Sequence, residues 1–349
     1  MKKKLLKIVP TVLVVLLVLG LLQELLMPKY MTDIIEGAMI EEYYDSQKNH
    51  DVIFLGDCEV YENFSPCRLW EQYGISSYVR GSAQQLIWQS YYLLEDTLKY
   101  ETPEVVVFNI MSLMHSGPEN EAYNRMTLDG MRWSKSKWDS IQVSMTEDEN
   151  VWEYVFPILR YHTRWSELKK EDFTYLFHRE PVTYEGYYLR VDVKPVTSLP
   201  PIKVLPNYDF GELPMEYLDK MRTLCEEKGI ELVFVKAPSI YPHWYDEWEA
   251  QVDAYAEEYG IAYYNFLELG EEIGIDYNTD TYDAGMHMNL SGAEKMSDYL
   301  GAKLLEEHGI TDRRGDEAYA SVWNPILENY NKAVADAYAA VAAKQAEEN

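Results

Sequence analysis

The stretch from Asp51 to Asn63 reads D-V-I-F-L-G-D-C-E-V-Y-E-N. Val52 to Leu55 make a short continuous apolar run, the mark of a strand buried on both faces of a parallel sheet. Gly56 ends the run and permits a tight turn. Asp57 and Cys58 follow at the strand's carboxyl end. In an open α/β sheet, ligands bind beyond that end, in the crevice where strand order reverses. Taken alone, these residues fit a strand, a glycine turn and a small buried thiol.

Four further runs repeat the pattern, at 75–79, 104–110 (E-V-V-V-F-N-I), 230–236 (I-E-L-V-F-V-K) and 261–266. Between them lie helical periodicities. Ser65 and Pro66 fit an N-cap and first helical position, and Gly74 a stop. Leu86, Ile87, Tyr91, Leu94 and Leu98 recur at helical spacing. Residues 213–228 place Leu218, Met221 and Cys225 on one face, so Cys225 reads as core. Helices over 244–259 and from Ser291, read as its cap, to 307 complete the series. Five strands separated by helices imply right-handed crossovers and one parallel sheet. The fold class is therefore α/β, a flavodoxin-like three-layer sandwich with strand order 2-1-3-4-5. That order brings Cys58 and Asn109 together at the switch point, and the loop 278–289 adds Asp283 and His287.

Outside this frame the chain divides further. Lys2, Lys3, Lys4 and Lys7 precede an uncharged run over 8–22 that is extended by 25–27, with no small-residue cleavage site after it. That pattern reads as an uncleaved signal-anchor over 1–28, a single-pass span in the lipid bilayer of the cell membrane with the rest of the chain outside. Residues 29–50 read as a juxtamembrane stalk, 51–310 as the α/β domain and 311–349 as an alanine-rich helix or tail. Between about 112 and 206 the α/β rhythm breaks into a segment rich in Trp, Tyr, Arg and His, read as a mostly helical insertion over the sheet's carboxyl edge. The net charge of -28 argues against nucleic acid or an anionic lipid surface as a partner. Three cysteines are too few for a disulfide framework, although Cys58 and Cys67 could pair in an oxidising compartment.

Gly56-Asp57-Cys58, Gly81, Asn109 and Asp283…His287 together resemble the sequence blocks of the SGNH/GDSL hydrolase superfamily. The ending His287, Asn289, Ser291-Gly292-Ala293 is similar to that of its membrane-anchored members, the teichoic-acid D-alanylation and polysaccharide O-acetylation proteins. The resemblance implies Cys58 in place of the nucleophilic serine, His287 as general base and Asp283 as its orienting carboxylate. It also implies an oxyanion hole from the Cys58 and Gly81 backbone N–H groups and the Asn109 side-chain amide. Three features depart from the family pattern. Cys replaces Ser, the third block keeps only Asn109, and three residues rather than two separate Asp283 from His287, so Asp280 rivals Asp283.

A paired His287 would depress the Cys58 thiol pKa. Lys236, at the end of the fourth strand, is either a solvated strand-end lysine or a binder of anionic substrate groups. No cofactor or metal is called for. The resemblance implies an extracytoplasmic esterase or O-acyltransferase acting on a cell-surface glycan or teichoic-acid-like polymer, beside a membrane-bound O-acyltransferase. Two other readings stand beside it: a scaffold that kept the fold without catalysis, and a lipase or thioesterase with a wide apolar groove.

Overall fold

Val52–Gly56 (β1), Ser77–Gly81 (β2), Val105–Asn109 (β3), Glu231–Lys236 (β4) and Ala262–Asn265 (β5) pair in parallel in the order β2-β1-β3-β4-β5. They are seen in a computed structural model that describes residues 2–28, 36–179 and 181–347. The α/β class and the strand order are those the sequence implies, with the switch point between β1 and β3.

Strand side chains alternate between two cores, as a period of two requires. Ile53, Leu55, Val106, Phe108 and Phe234 face one core with the helices Ile87–Thr97, Glu212–Lys228 and Asp246–Tyr259. Val52, Phe54, Val105, Val107, Val233 and Val235 face the other with Pro66–Tyr73 and Leu290–Glu306. Cys225 lies in the first core. Ser65 caps Pro66–Tyr73 by accepting from Arg68 N, and Gly74 ends that helix in the left-handed region. Leu290–Glu306 begins two residues earlier than expected: Asn289 is the cap, accepting from Gly292 N at 3.4 Å, and Ser291 lies inside the helix. The Asn289 amide also donates to the carbonyls of Asp192 and Thr279, so it anchors the loop as well as the helix.

Two peripheral segments differ from their sequence reading. Residues 29–35 lie outside the described residues, but the remainder of the expected stalk is part of the domain. Met39, Ile40, Tyr43 and Tyr44 are buried in the cores. Tyr44 Oη donates to Asp96 at 2.6 Å, beside the buried Arg80 of β2. A chain carrying that much apolar surface is drawn into the core rather than held out as a spacer.

The insertion has two parts. Its first half is helical beyond the expected stretch of 147–168, with Glu121–Leu128 and Lys135–Ser144, and the latter packs on Ile87–Thr97. Its second half crosses the sheet's carboxyl edge as an irregular strap. There, Tyr188 N donates to Tyr61 O, Leu290 N to Arg190 O and Val196 N to Tyr277 O. The C-terminal helix Glu317–Glu347 packs outside the domain, with Trp323 stacked on Trp70 at 5.4 Å.

At the amino end, the helix Lys2–Leu26 includes an 18-residue window, Val9–Leu26, long and apolar enough to cross a membrane by length and composition.

Arg80 is fully enclosed and answered by Asp96 at 3.2 Å, by Leu93 O at 2.9 Å and by Thr97 Oγ1 at 2.8 Å. Removing one partner of a buried ion pair strands the other charge, at a cost of about 3–5 kcal/mol. Asp96→Ala is therefore expected to lower the unfolding free energy by about that much. Urea denaturation measures it, and a loss below about 1 kcal/mol, the scale of an exposed pair, would show that Arg80 finds another route to solvation.

Candidate active site

The turn after β1 is built by close approach. Gly56 has φ +153°, and a Cβ there would sit 3.0 Å from Asn109 Cβ and 3.1 Å from Val60 Cγ1. Gly81, its register partner on β2, is as tightly placed: a Cβ would come within 2.7 Å of Val60 Cγ2 and 3.1 Å of Asp57 O. Gly81 thus lies against the backbone that carries the thiol.

Asp57 caps the one-turn helix Cys58–Tyr61, its Oδ1 accepting from Glu59 N at 3.1 Å. Cys58 therefore occupies the first helical position, directly beyond the sheet edge. It is half-buried and a free thiol. The alternative pairing with Cys67 is not made. Cys67 is buried with Tyr187 and Tyr330, in a cluster that does not include Cys58.

His287 and Asp283 come together beside it. Asp283 Oδ2 accepts from His287 Nδ1 at 2.6 Å, while its Oδ1 accepts from the backbone N–H groups of Met286 and His287 at 3.1 and 2.9 Å. These bonds hold the Asp283 carboxyl below its usual range against the opposing effect of burial. An ionised carboxylate only accepts, so Nδ1 carries the proton and Nε2 is left for the thiol. Asp280, the rival carboxylate, is turned away. It pairs with Lys295 at 2.5 Å and accepts from Asp276 N at 2.8 Å.

A second carboxylate reaches the same ring. Glu62 is buried, lies 3.1 Å from His287 Nδ1 and accepts from Tyr282 Oη at 2.5 Å. Burial raises its pKa, with His287 and Tyr282 acting the other way. Sequence reasoning missed it, although the signal was present: Glu62 follows Cys58 by four, and Glu62 N donates to Cys58 O at 3.2 Å, so one helical turn stacks the two. Asn63 was missed as well, and its Oδ1 accepts from Met288 N at 2.8 Å, fixing the chain next to His287. Glu62, Asp283 and His287 bring ligand-type atoms within 4.8 Å of one another, a donor set of the kind that binds divalent metals, and here the imidazole is shared between both carboxylates.

The electrostatics invert the expected thiol chemistry. Burial pushes the Cys58 thiol up to about 11; His287 opposes this and Asp57 and Glu62 add to it. The imidazole loses to burial but gains more from Cys58, Glu62 and Asp283, and its pKa stands well above the ordinary value. The expectation of a depressed thiol fails because burial outweighs the help of His287, and the charges of Asp57 and Glu62 act in the same direction as burial.

Two expected site residues are already occupied. Asn109 donates through Nδ2 to Glu59 Oε2 at 2.8 Å and to Asp57 Oδ1 at 3.1 Å, so its amide faces carboxylates. Lys236 is neither solvated nor open to substrate. It is fully buried and donates to both oxygens of Glu59 at 3.2 Å, to Ala237 O and to Ser239 Oγ. Burial and the charge of Glu59 raise Asp57 to about 6.

No protein-family model and no curated protein matches the chain. Solved structures similar to it include the following three. A protein assigned to the G-D-S-L lipolytic family from Desulfitobacterium hafniense is 12% identical, with a TM-score of 0.37, over 73% of this chain and 99% of its own. A protein assigned as an acylhydrolase from Bacteroides fragilis is 11% identical, with a TM-score of 0.39, over 76% and 94%. A GDSL-like lipase from Bacteroides thetaiotaomicron is 12% identical, with a TM-score of 0.38, over 78% and 97%.

Proposed function

We propose that the chain is a membrane-anchored, extracytoplasmic acyl-transferring enzyme of SGNH type, an esterase or O-acyltransferase of cell-envelope glycans, with Cys58 as nucleophile. The observation that carries this reading is the 2.6 Å bond between His287 and an ionised Asp283 beside a thiol at the first position of a helix. That constellation supplies nucleophile, base and orienting group. Cys58 Sγ attacks the ester carbonyl carbon while His287 Nε2 takes the thiol proton. The C–O bond then breaks, His287 returns the proton to the leaving alcohol, and a thioester remains on Cys58. Water or an acceptor hydroxyl of the glycan attacks the thioester, giving its proton to His287, which passes it back to Sγ. The Cys58 and Gly81 backbone N–H groups are the proposed oxyanion donors, with Asn109 holding Asp57 and Glu59 in place instead.

A second reading, an SGNH-fold scaffold without turnover, is favoured by a thiol held near 11 and an Asn109 amide already spent. Mutant kinetics on an aryl ester separate the two. Under the catalytic reading, Asp283→Asn lowers kcat/KM by up to about 10⁴, as loss of the correct tautomer does in triads, and His287→Gln does at least as much. Cys58→Ala abolishes turnover, and Cys58→Ser retains a fraction. Wild-type turnover equal to that of Cys58→Ala would leave the scaffold.

The pH dependence has a definite sign. The His287 imidazole is raised and the Cys58 thiol stands at about 11, so neutral base and thiolate both become more available as pH rises. Iodoacetamide alkylation of Cys58 is expected to accelerate from neutral pH toward about 11. A rate already at its plateau below neutral pH would indicate a thiolate–imidazolium pair and contradict these electrostatics.

A further inference from the structure

The middle of the insertion, over 151–179, carries an unusual surface. Trp152, Phe156, Leu159, Trp165, Phe173 and Phe177 are all exposed, Trp165 to 72% and Phe177 to 89%. They belong to consecutive short elements, Val151–Val155, Ile158–Tyr161, His162–Ser166 and Lys170–Tyr175, or to the residues just after them. Trp152 and Phe156 stack on each other at 6.3 Å. Soluble surfaces rarely gather large apolar side chains so densely without a partner.

The same elements receive the end of the apolar N-terminal helix. Lys2–Leu26 packs against Ile158–Tyr161, His162–Ser166 and Lys170–Tyr175. Leu26 is buried there, and Arg164 Nη1 donates to Leu26 O at 2.6 Å. Arg179 lies 3.5 Å from Glu24. The 18 residues from Val9 to Leu26 rise about 27 Å as a helix, close to the thickness of a bilayer's hydrocarbon core. If that window spans the bilayer, Leu26 stands at its outer boundary, and the aromatic elements stand at the same depth. Trp and other amphipathic aromatics concentrate at that level in membrane proteins. Charge permits the contact. Over 151–179 there are five Arg and Lys against four Asp and Glu, a near-neutral patch on a chain of net charge -28.

We infer that this face of the insertion is seated in the outer interface of the bilayer that the N-terminal helix crosses. The domain would then be held against the lipid with its anchor rather than swinging from it. The inference rests on the membrane-anchored reading proposed above, and its occupant is lipid rather than a protein partner.

The test uses the full-length protein reconstituted into phosphatidylcholine vesicles, with and without acyl-chain bromination, and reads tryptophan fluorescence. Bromolipid is expected to quench part of the wild-type emission, and the double variant Trp152→Phe, Trp165→Phe is expected to lose most of that quenching. Adding Phe177→Trp to the double variant should restore it, which also shows that the variant remains folded and docked. Failure to float with vesicles would overturn the anchoring reading itself. Co-flotation without quenching, with quenching that persists in the double variant, or with no recovery on adding Phe177→Trp would overturn the docking inference alone. Protection of these tryptophans from an aqueous quencher without bromolipid quenching would mark a protein-covered face and overturn it equally.

Discussion

Lys236 ends a central strand with its ammonium group wholly enclosed, and a charge so placed must be met by another or the fold does not close. Glu59 meets it, and Glu59 is the second residue of the one-turn helix that presents Cys58. The ion pair therefore docks that helix onto β4. Asn109 extends the bracing to β3 by donating to both Glu59 and Asp57. The thiol's position is set from beneath by three strands, with Gly56 and Gly81 allowing the backbone to come close enough. Rigid support of this kind is what a reacting group needs in order to keep its geometry.

The same polar floor has an electrical consequence. Asp57, Glu59, Glu62 and Asp283 stand around the Cys58 helix and His287, and the nearest buried cation, Lys236, is committed to Glu59. Burial keeps the proton on the thiol, with Asp57 and Glu62 adding to it, while the facing acids favour the protonated imidazole of His287. A serine in the same place would remain a hydroxyl whatever the charge around it, whereas a thiol feels that charge directly through its thiolate. The surroundings suit a neutral nucleophile activated at the moment of attack.

The parallel sheet was legible because its strands are continuous β-branched runs punctuated by glycine, a pattern with few alternatives. Asp283 and His287 were legible from their place after the fifth strand and the His287…Asn289 ending, although three residues rather than two separate them. Glu59 and Glu62 were not, since a buried acid looks like a surface acid until its partner, 177 residues away for Glu59 and 225 for Glu62, is placed beside it. Lys236 was misjudged for the same reason. The packing of Met39 to Tyr44 was hidden because an acidic, helical-looking segment next to an anchor gives no local sign that its apolar residues are needed in a distant core.

The account comes down to whether Cys58 ever carries an acyl group. Intact-protein mass spectrometry after brief exposure to an aryl acetate, quenched in acid and followed by peptide mapping, reads this directly. The account predicts a single acetyl adduct on Cys58, formed faster at alkaline than at neutral pH and lost on treatment with hydroxylamine. An adduct confined to lysines, or one that forms on Cys58 at the same rate when His287 is replaced by Gln, would contradict it.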